Sequence, residues 1–305
     1  MTMRAMTARQ RVTLHGICTG VAVLLNALSA GACAASEPAF AWEPRLHGDA
    51  VIMLGEVHDN AEHHRMRLAV LRRAFAAGWR PAIAMEQFDR ERQQDIDLAR
   101  RERPHDAQSL IERAAPASAG RSGGGWNWSD YRPFVDLALE YDVPLIAANL
   151  SAADATKIVR GGFAAAFDDA SITRLGLDRP VPSELQAAQE REIDAGHCHA
   201  LPPSQWPRMA RAQIARDALM AEVLRNQLGA GGVVLLAGNG HVRRDIGVPR
   251  WLGSALQDRM LSVAFLEEGS AAASTEPFDA VVPTVRAERS DPCAGFGKQA
   301  NTAPR

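Results

Sequence analysis

Four polar side chains with catalytic or ligating chemistry come directly after apolar runs of this sequence: Glu56, His58, Glu86 and His241. His58, His241 and Glu86 form a pair of imidazoles with a carboxylate, a set that can hold a divalent transition metal. Without a metal, the four groups could act as a general base and its orienting partners. The alternative is a hydrogen-bonded network that only fixes the local turns.

Both histidines close a Gly-x-x-His turn, Gly55 to His58 and Gly238 to His241. A glycine lets the chain turn sharply after a strand and brings the imidazole back over the sheet edge. Ligands of open parallel sheets bind at the carboxyl ends of the strands. We therefore predict a functional site at that edge.

Further polar residues are predicted to support this site. Asn149 and Asn239 also follow apolar runs, and Gln213 and Arg216 interrupt the apolar seam of a long helix. Arg216 could pair with Glu86, with a ligand carboxylate, or in a structural salt bridge.

Two adjacent histidines open the first predicted helix. His64 shares a helical stripe with Leu68, Leu71 and Phe75, which predicts that it points inward beside the Gly55 turn. A helix N-terminus favours a neutral imidazole there. His63 is predicted to be solvated.

A group of three aromatic residues follows the glycine-rich segment 116–125: Trp126, Trp128 and Tyr131. Such a group suits a flat, apolar ligand. The alternative is a hydrophobic lid that packs onto the domain.

Continuous apolar runs predict five buried strands and a sixth candidate: Ala50–Leu54, Ala82–Met85, Pro144–Ala148, Val233–Ala237, Leu261–Leu266 and Ala280–Val285. Helices are predicted over Asn60–Ala77, Ser129–Tyr141 and Ser204–Leu228. This alternation predicts an α/β fold with a central, mostly parallel sheet flanked by helices. The long spans around the third strand predict an inserted helical cap subdomain.

The N-terminus has the order of a secretory signal. Residues 1–11 carry three arginines and no acid, and residues 12–32 are apolar and end in small residues. Cleavage leaves either a lipid-modified Cys33 or a simply released chain, and export to the periplasm or outer membrane follows. We divide the chain into a signal peptide (1–32), a linker (33–44), an α/β domain (45–285) and a polar, loosely packed tail (286–305).

Composition excludes other classes of protein. The net charge is −2 and no long run of like charge occurs, so a nucleic-acid partner is not expected. No serine nucleophile elbow, phosphate loop or dinucleotide fingerprint is present. In an oxidising compartment Cys198 and Cys293 are expected to form a disulfide, the alternative being two separate buried thiols.

Several ordered motifs resemble the ChaN family of exported bacterial lipoproteins, within the group that includes Tiki-type proteases and erythromycin esterases. They are LGEVHDNAEHH, AMEQFD, WNWSDYRPFVDLALEYDVPLIAANL, HCHALPPSQWPRMARAQIARDALMAEVL and LLAGNGHVRRDIGVP. The resemblance implies haem bound at the interface of a homodimer, with a tyrosine as iron ligand. It places that ligand at Tyr131, with Trp126, Trp128 and His64 at the haem.

Two functions follow from these patterns. The first is an exported, lipid-anchored haem-binding protein of haem and iron uptake. The second is a metal-dependent hydrolase that uses Glu56, His58, Glu86 and His241. The binding protein is the favoured hypothesis.

Overall fold

A computed structural model of the chain describes residues 39–115, 125–229, 231–269, 277–291 and 293–294. The predicted signal peptide and Cys33 lie outside the described residues. Within the described ranges, no helix combines the length and the apolar character that crossing a bilayer requires.

Six strands form one parallel sheet in the order β3-β2-β4-β1-β5-β6. Their bounds are β1 Val51–Leu54, β2 Ala82–Asp89, β3 Leu145–Asn149, β4 Val233–Leu236, β5 Met260–Glu267 and β6 Ala280–Thr284. The predicted α/β class is confirmed, and each predicted run forms a strand. β2 continues four residues beyond the predicted end, so Glu86 and Gln87 belong to the strand itself.

Helices cover both faces of the sheet. They are α1 Ala61–Ala76, α2 Gln93–Glu102, α3 Ala107–Ala114, α4 Trp128–Glu140, α5 Ala152–Gly161, α6 Asp169–Arg174, α7 Ser183–Gly196, α8 Trp206–Asn226, α9 Asn239–Val242 and α10 Pro249–Leu252. α8 begins two residues later than predicted, because residues Pro203–Gln205 form a short 3-10 turn instead.

Alternate residues of β1 enter two different cores, as the pleat of a strand requires. Ile52 and Leu54 pack with helices α1, α3 and α4, whereas Val51 and Met53 pack with α8 and α10. A third core joins α5, α6 and α8 around residues such as Leu150, Ile158 and Phe167. This separate core matches the predicted helical insertion after β3.

The first helix buries a more polar face than predicted. Asn60 caps α1 by accepting hydrogen bonds from the backbone N–H groups of Glu62 and His63. His63 is fully buried: its Nδ1 accepts from the Val57 N–H at 2.9 Å, and its Nε2 lies 2.6 Å from the Thr284 hydroxyl. The prediction of a solvated His63 is therefore wrong.

Residues near the C-terminus are tied to the domain. Cys198 and Cys293 form the expected disulfide, with their Cα atoms 5.4 Å apart. Arg289 forms ion pairs with Glu267 and with Asp59, the latter at 2.8 Å. Residues 286–291 are thus held more firmly than the loosely packed tail that their polarity predicted.

Candidate functional site

The carboxyl ends of three neighbouring strands bring the four predicted residues together. β4 lies between β1 and β2, so the turns after β1 and β4 and the end of β2 meet. Gly238 is at the centre: its N–H donates to Glu86 Oε2 at 2.7 Å, and the His58 ring packs against its Cα. The site divides into two buried clusters around this glycine.

The first, the Glu56 cluster, comprises Glu56, His58, His64, Arg67, Gln87 and Tyr131. Glu56 Oε1 accepts a hydrogen bond from the Tyr131 hydroxyl at 2.7 Å and another from His58 Nδ1 at 2.9 Å. The amide of Gln87 lies 3.5 Å from the same oxygen. Glu56 is 2% exposed, so these donors replace the water that its carboxylate has lost.

Arg67 supplies the charge that balances Glu56. Its guanidinium forms an ion pair with Glu56 Oε2, donates to the Leu54 carbonyl at 3.2 Å and lies 5.3 Å from the Phe134 ring centre. Arg67 is fully buried, and burial lowers the pKa of its guanidinium to about 10. The group remains charged at neutral pH, so the ion pair is intact there.

His64 is held as a neutral imidazole inside this cluster. Its Nε2 donates to the His58 carbonyl at 2.9 Å, and its Nδ1 accepts from Arg67 at 3.1 Å. Burial lowers the pKa of His64, which agrees with the expected neutral form. Its role is to orient Arg67 and the turn at His58.

The second, the His241 cluster, comprises Glu86, Gln189, Asp217 and His241. His241 Nδ1 lies 2.6 Å from Asp217, and Nε2 lies 3.4 Å from Glu86. Burial alone would lower the pKa of His241, but the two carboxylates outweigh burial and raise it to about 10. The ring is therefore an imidazolium at neutral pH, and it holds the pKa of buried Glu86 well below its usual range.

The partners of His241 bear on the predicted metal set of His58, His241 and Glu86. A metal ligand must offer a nitrogen lone pair, and both His241 nitrogens face carboxylates of the chain itself, Nδ1 at 2.6 Å from Asp217 and Nε2 at 3.4 Å from Glu86. Within the described ranges, no group of three histidine, cysteine or acidic side chains is arranged to hold a metal ion. The prediction of a divalent metal is therefore not supported.

Gly238→Ala is expected to displace the His58 ring and to lower the free energy of unfolding by about 1–3 kcal/mol. A Cβ at position 238 would lie 2.9 Å from His58 Cε1 and 3.1 Å from Nε2. Gly240→Ala is the matched control, because a Cβ there meets nothing within 4 Å. Thermal unfolding of both variants measures the difference, and equal stabilities would contradict the packing of His58 on Gly238.

The predicted aromatic group lies beside the Glu56 cluster. Trp126 packs edge-on against His58 at 4.8 Å and against Tyr131 at 5.5 Å between ring centres. Trp128 packs on Phe88, and its buried Nε1 has no hydrogen-bond partner among the described residues. The side chain of His58 is 47% exposed, so Trp126 and His58 present the accessible part of this surface.

Tyr131 and His64 are not presented to a ligand in this conformation. Tyr131 is 0% exposed, and burial raises the pKa of its phenol, which favours the protonated form that donates to Glu56. A phenolate ligand would have to leave both Glu56 and the Trp126 ring. His64 is 4% exposed and both its nitrogens are engaged.

The four supporting residues lie at separate places. Asn239 donates to the Phe265 carbonyl at 2.7 Å and packs on Gly55, which makes it a turn residue. Asn149 ends β3 with a buried Oδ1 that has no partner among the described residues. Gln213 accepts from Arg216 at 2.8 Å on α8, and no ion pair joins Arg216 to Glu86 in the described structure.

Sequence reasoning missed four members of the clusters: Arg67, Gln87, Gln189 and Asp217. Arg67 lies three residues after His64 and four before Leu71, on the stripe predicted to point inward. That spacing was a usable signal. Asp217 adjoins Arg216 on α8, and only the exact rotation of the helix decides which of the two faces the sheet.

This is a ligand-binding type of α/β domain, with its polar groups gathered at the carboxyl edge of one parallel sheet. The chain belongs to the ChaN family of haem-binding uptake proteins of the Tiki superfamily, whose sequence model matches residues 43–252. No curated protein matches the chain.

Solved structures resemble this chain to different degrees, and ChaN of Campylobacter jejuni shares its fold. ChaN of Campylobacter jejuni, which binds haem cofacially, is 22% identical with a TM-score of 0.60, over 77% of this chain and 87% of that chain. A Bacillus cereus protein is 12% identical with a TM-score of 0.40, over 73% of this chain and 67% of its own. An erythromycin esterase mutant in its open conformation is 12% identical with a TM-score of 0.38, over 75% and 74%.

Proposed function

We propose that this protein is exported, binds haem and takes part in haem uptake. Membership of a haem-binding uptake family supports the ligand. The observation that carries the site is the half-exposed imidazole of His58, held between the Glu56 carboxylate and the Trp126 ring.

His58 is the iron contact in this proposal. Its Nδ1 donates to buried Glu56 at 2.9 Å, which fixes the tautomer and leaves the lone pair on Nε2. A carboxylate behind a ligating histidine orients the ring and raises its basicity. Nε2 has no hydrogen-bond partner among the described residues, so it could supply a nitrogen donor to the haem iron.

The aromatic side chains shape the haem surface. Trp126 flanks His58 and offers apolar area to the porphyrin, while Trp128 supports it from the side of Phe88. Tyr131 acts behind this surface, as the donor that helps to hold Glu56 in place.

A haemin titration read by visible absorption tests the assignment. We expect a saturable Soret shift, with affinity weakened at least about tenfold in His58→Ala. Tyr131→Phe is expected to retain the spectrum, because it keeps the buried ring and removes only one donor to Glu56. His47→Ala, at an exposed position, is the control. Loss of the Soret shift in Tyr131→Phe but not in His58→Ala would return the iron ligand to Tyr131.

Export and anchoring complete the proposal. Residues 1–32 act as the signal, and Cys33 carries a lipid that holds the protein at a membrane surface. The mass of the mature N-terminus distinguishes lipidation from simple cleavage. As the family resemblance implies, haem binding is coupled to a homodimer, which sedimentation with and without haemin would detect.

A further inference from the structure

A ligand-sized cavity lies away from His58, between helices α5, α7 and α8. Its volume is about 630 Å³, within the range of small-molecule sites. One wall is apolar and includes Ala155, Val159, Ile193 and Met209. None of these residues belongs to the Glu56 cluster or to the aromatic surface, so the proposed haem site does not explain the cavity.

The polar part of the lining contains two arginines beside neutral side chains. Arg208 and Arg216 both line the cavity, and no acidic residue is among its described lining residues. Neither arginine forms an ion pair in the described part of the chain. The charge of Arg216 acts to lower the pKa values of Asp89 and Asp217, but neither of these residues lines the cavity. Within the cavity, two guanidinium groups therefore create a place where an anion is favoured.

Arg216 shows the incomplete pairing most clearly. Its Nη1 donates to Gln213 at 2.8 Å, which fixes the direction of the guanidinium. Its Nε is buried and has no hydrogen-bond partner among the described residues. The guanidinium has no ion-pair partner among the described residues, and its Nη groups can pair with a carboxylate bound in the cavity.

We propose that this cavity binds an organic carboxylate with an apolar body, held by Arg216 and Arg208 while its apolar part contacts Val159, Ile193 and Met209. A guanidinium pairs with a carboxylate through two parallel hydrogen bonds, and the apolar wall requires more than a small inorganic anion. A free fatty acid and a haem propionate edge both have this chemistry.

Calorimetric titration of the purified protein with dodecanoate tests the proposal. We expect saturable binding near one equivalent, and dodecanol, with the same chain and no charge, is expected to bind at least about tenfold more weakly. Absence of saturable dodecanoate binding would overturn the proposal, and so would equal binding of the alcohol.

Three arginine variants localise the site. Arg216→Gln and Arg208→Gln are each expected to weaken dodecanoate binding about tenfold. Arg208 is exposed, so its variant tests the site even where Arg216→Gln disturbs folding. Arg211→Gln is the matched control, because Arg211 lies on the same helix and does not line the cavity. Equal affinities in all three variants would contradict the assignment.

Competition identifies the source of the carboxylate. Displacement of dodecanoate by haemin but not by haemin dimethyl ester would assign the site to a haem propionate, whereas no displacement would assign it to a separate fatty acid. Both results require that dodecanoate binds and that the arginines contribute to its binding. Each of them therefore supports the proposal that this cavity binds a carboxylate. Because dodecanoate is measured without haem, failure of the His58 assignment leaves this test unaffected.

Discussion

Glu56→Gln is expected to lower the free energy of unfolding by about 3–5 kcal/mol. The substitution keeps the size of the side chain and removes the only charge that pairs with Arg67 within the described structure. Arg67 is fully buried and would be left as an uncompensated cation beside Phe134. The hydroxyl of Tyr131 would also lose its charged acceptor.

Denaturant unfolding with the disulfide intact measures this effect. Glu62→Gln is the control, because Glu62 pairs with Arg65 on the same helix at 2.8 Å while both side chains are largely exposed. An exposed pair contributes about 0–1 kcal/mol. If Glu56→Gln is no more destabilising than Glu62→Gln, the buried ion pair between Glu56 and Arg67 does not stabilise the folded protein as expected.

A double variant separates the charge from the packing. Arg67→Met replaces the cation by a flexible apolar side chain, and combined with Glu56→Gln it leaves no unpaired charge in the cluster. We expect the double variant to be more stable than Glu56→Gln alone, since buried ion pairs are costly to break but replaceable together. Additive losses in the cycle would show that lost packing is responsible instead.

The sheet could be predicted from the sequence because each buried parallel strand is a continuous apolar run. Ile52 and Val51 enter cores on opposite faces of the sheet. Both faces of the strand are buried, so its sequence is apolar throughout and does not alternate between apolar and polar residues. The convergence of Glu56, Glu86 and His241 followed from the same reasoning, since parallel strands end at one edge.

The partners of those groups could not be predicted equally well. A buried charge is stabilised by a residue from another element, and the sequence does not show which elements touch. The pKa of His241 is raised by Glu86 and by Asp217, and Asp217 lies 2.6 Å from the ring on a helix that ends before β4. The apolar pattern of α8 does not show that Asp217, and not Arg216, faces His241.

The solvent exposure of individual side chains was the other property that the sequence did not reveal. Tyr131 and His58 share one cluster and both contact Glu56, but Tyr131 is fully buried whereas the His58 side chain is 47% exposed. Motif spacing cannot distinguish them, because neither the turn that holds His58 nor the first turn of α4 that holds Tyr131 reveals which side chain is covered. The choice of iron contact therefore depends on tertiary packing.

The stability of the protein is expected to decrease as the pH rises from about 6.5 to 10. His241 has a pKa of about 10 in the folded chain, against about 6.5 when unfolded. Its folded-state proton is stabilising in full below pH 6.5, and this contribution is lost as the pH approaches the folded pKa. The loss is expected to be about a few kcal/mol, and it belongs to His241, Glu86 and Asp217 together, because these buried groups titrate as a coupled cluster.

Unfolding free energies measured across this pH range test the prediction by their slope. His241→Asn is expected to flatten the alkaline slope even where it lowers stability throughout, because Asn does not titrate. His47→Asn, at an exposed position, should leave the slope unchanged. NMR of the imidazole nitrogens gives a second readout that needs no variant: at pH 8 both should carry protons, directed at Glu86 and Asp217. A neutral His241 ring at pH 8 would contradict the charged cluster and restore the lone pair that metal binding requires.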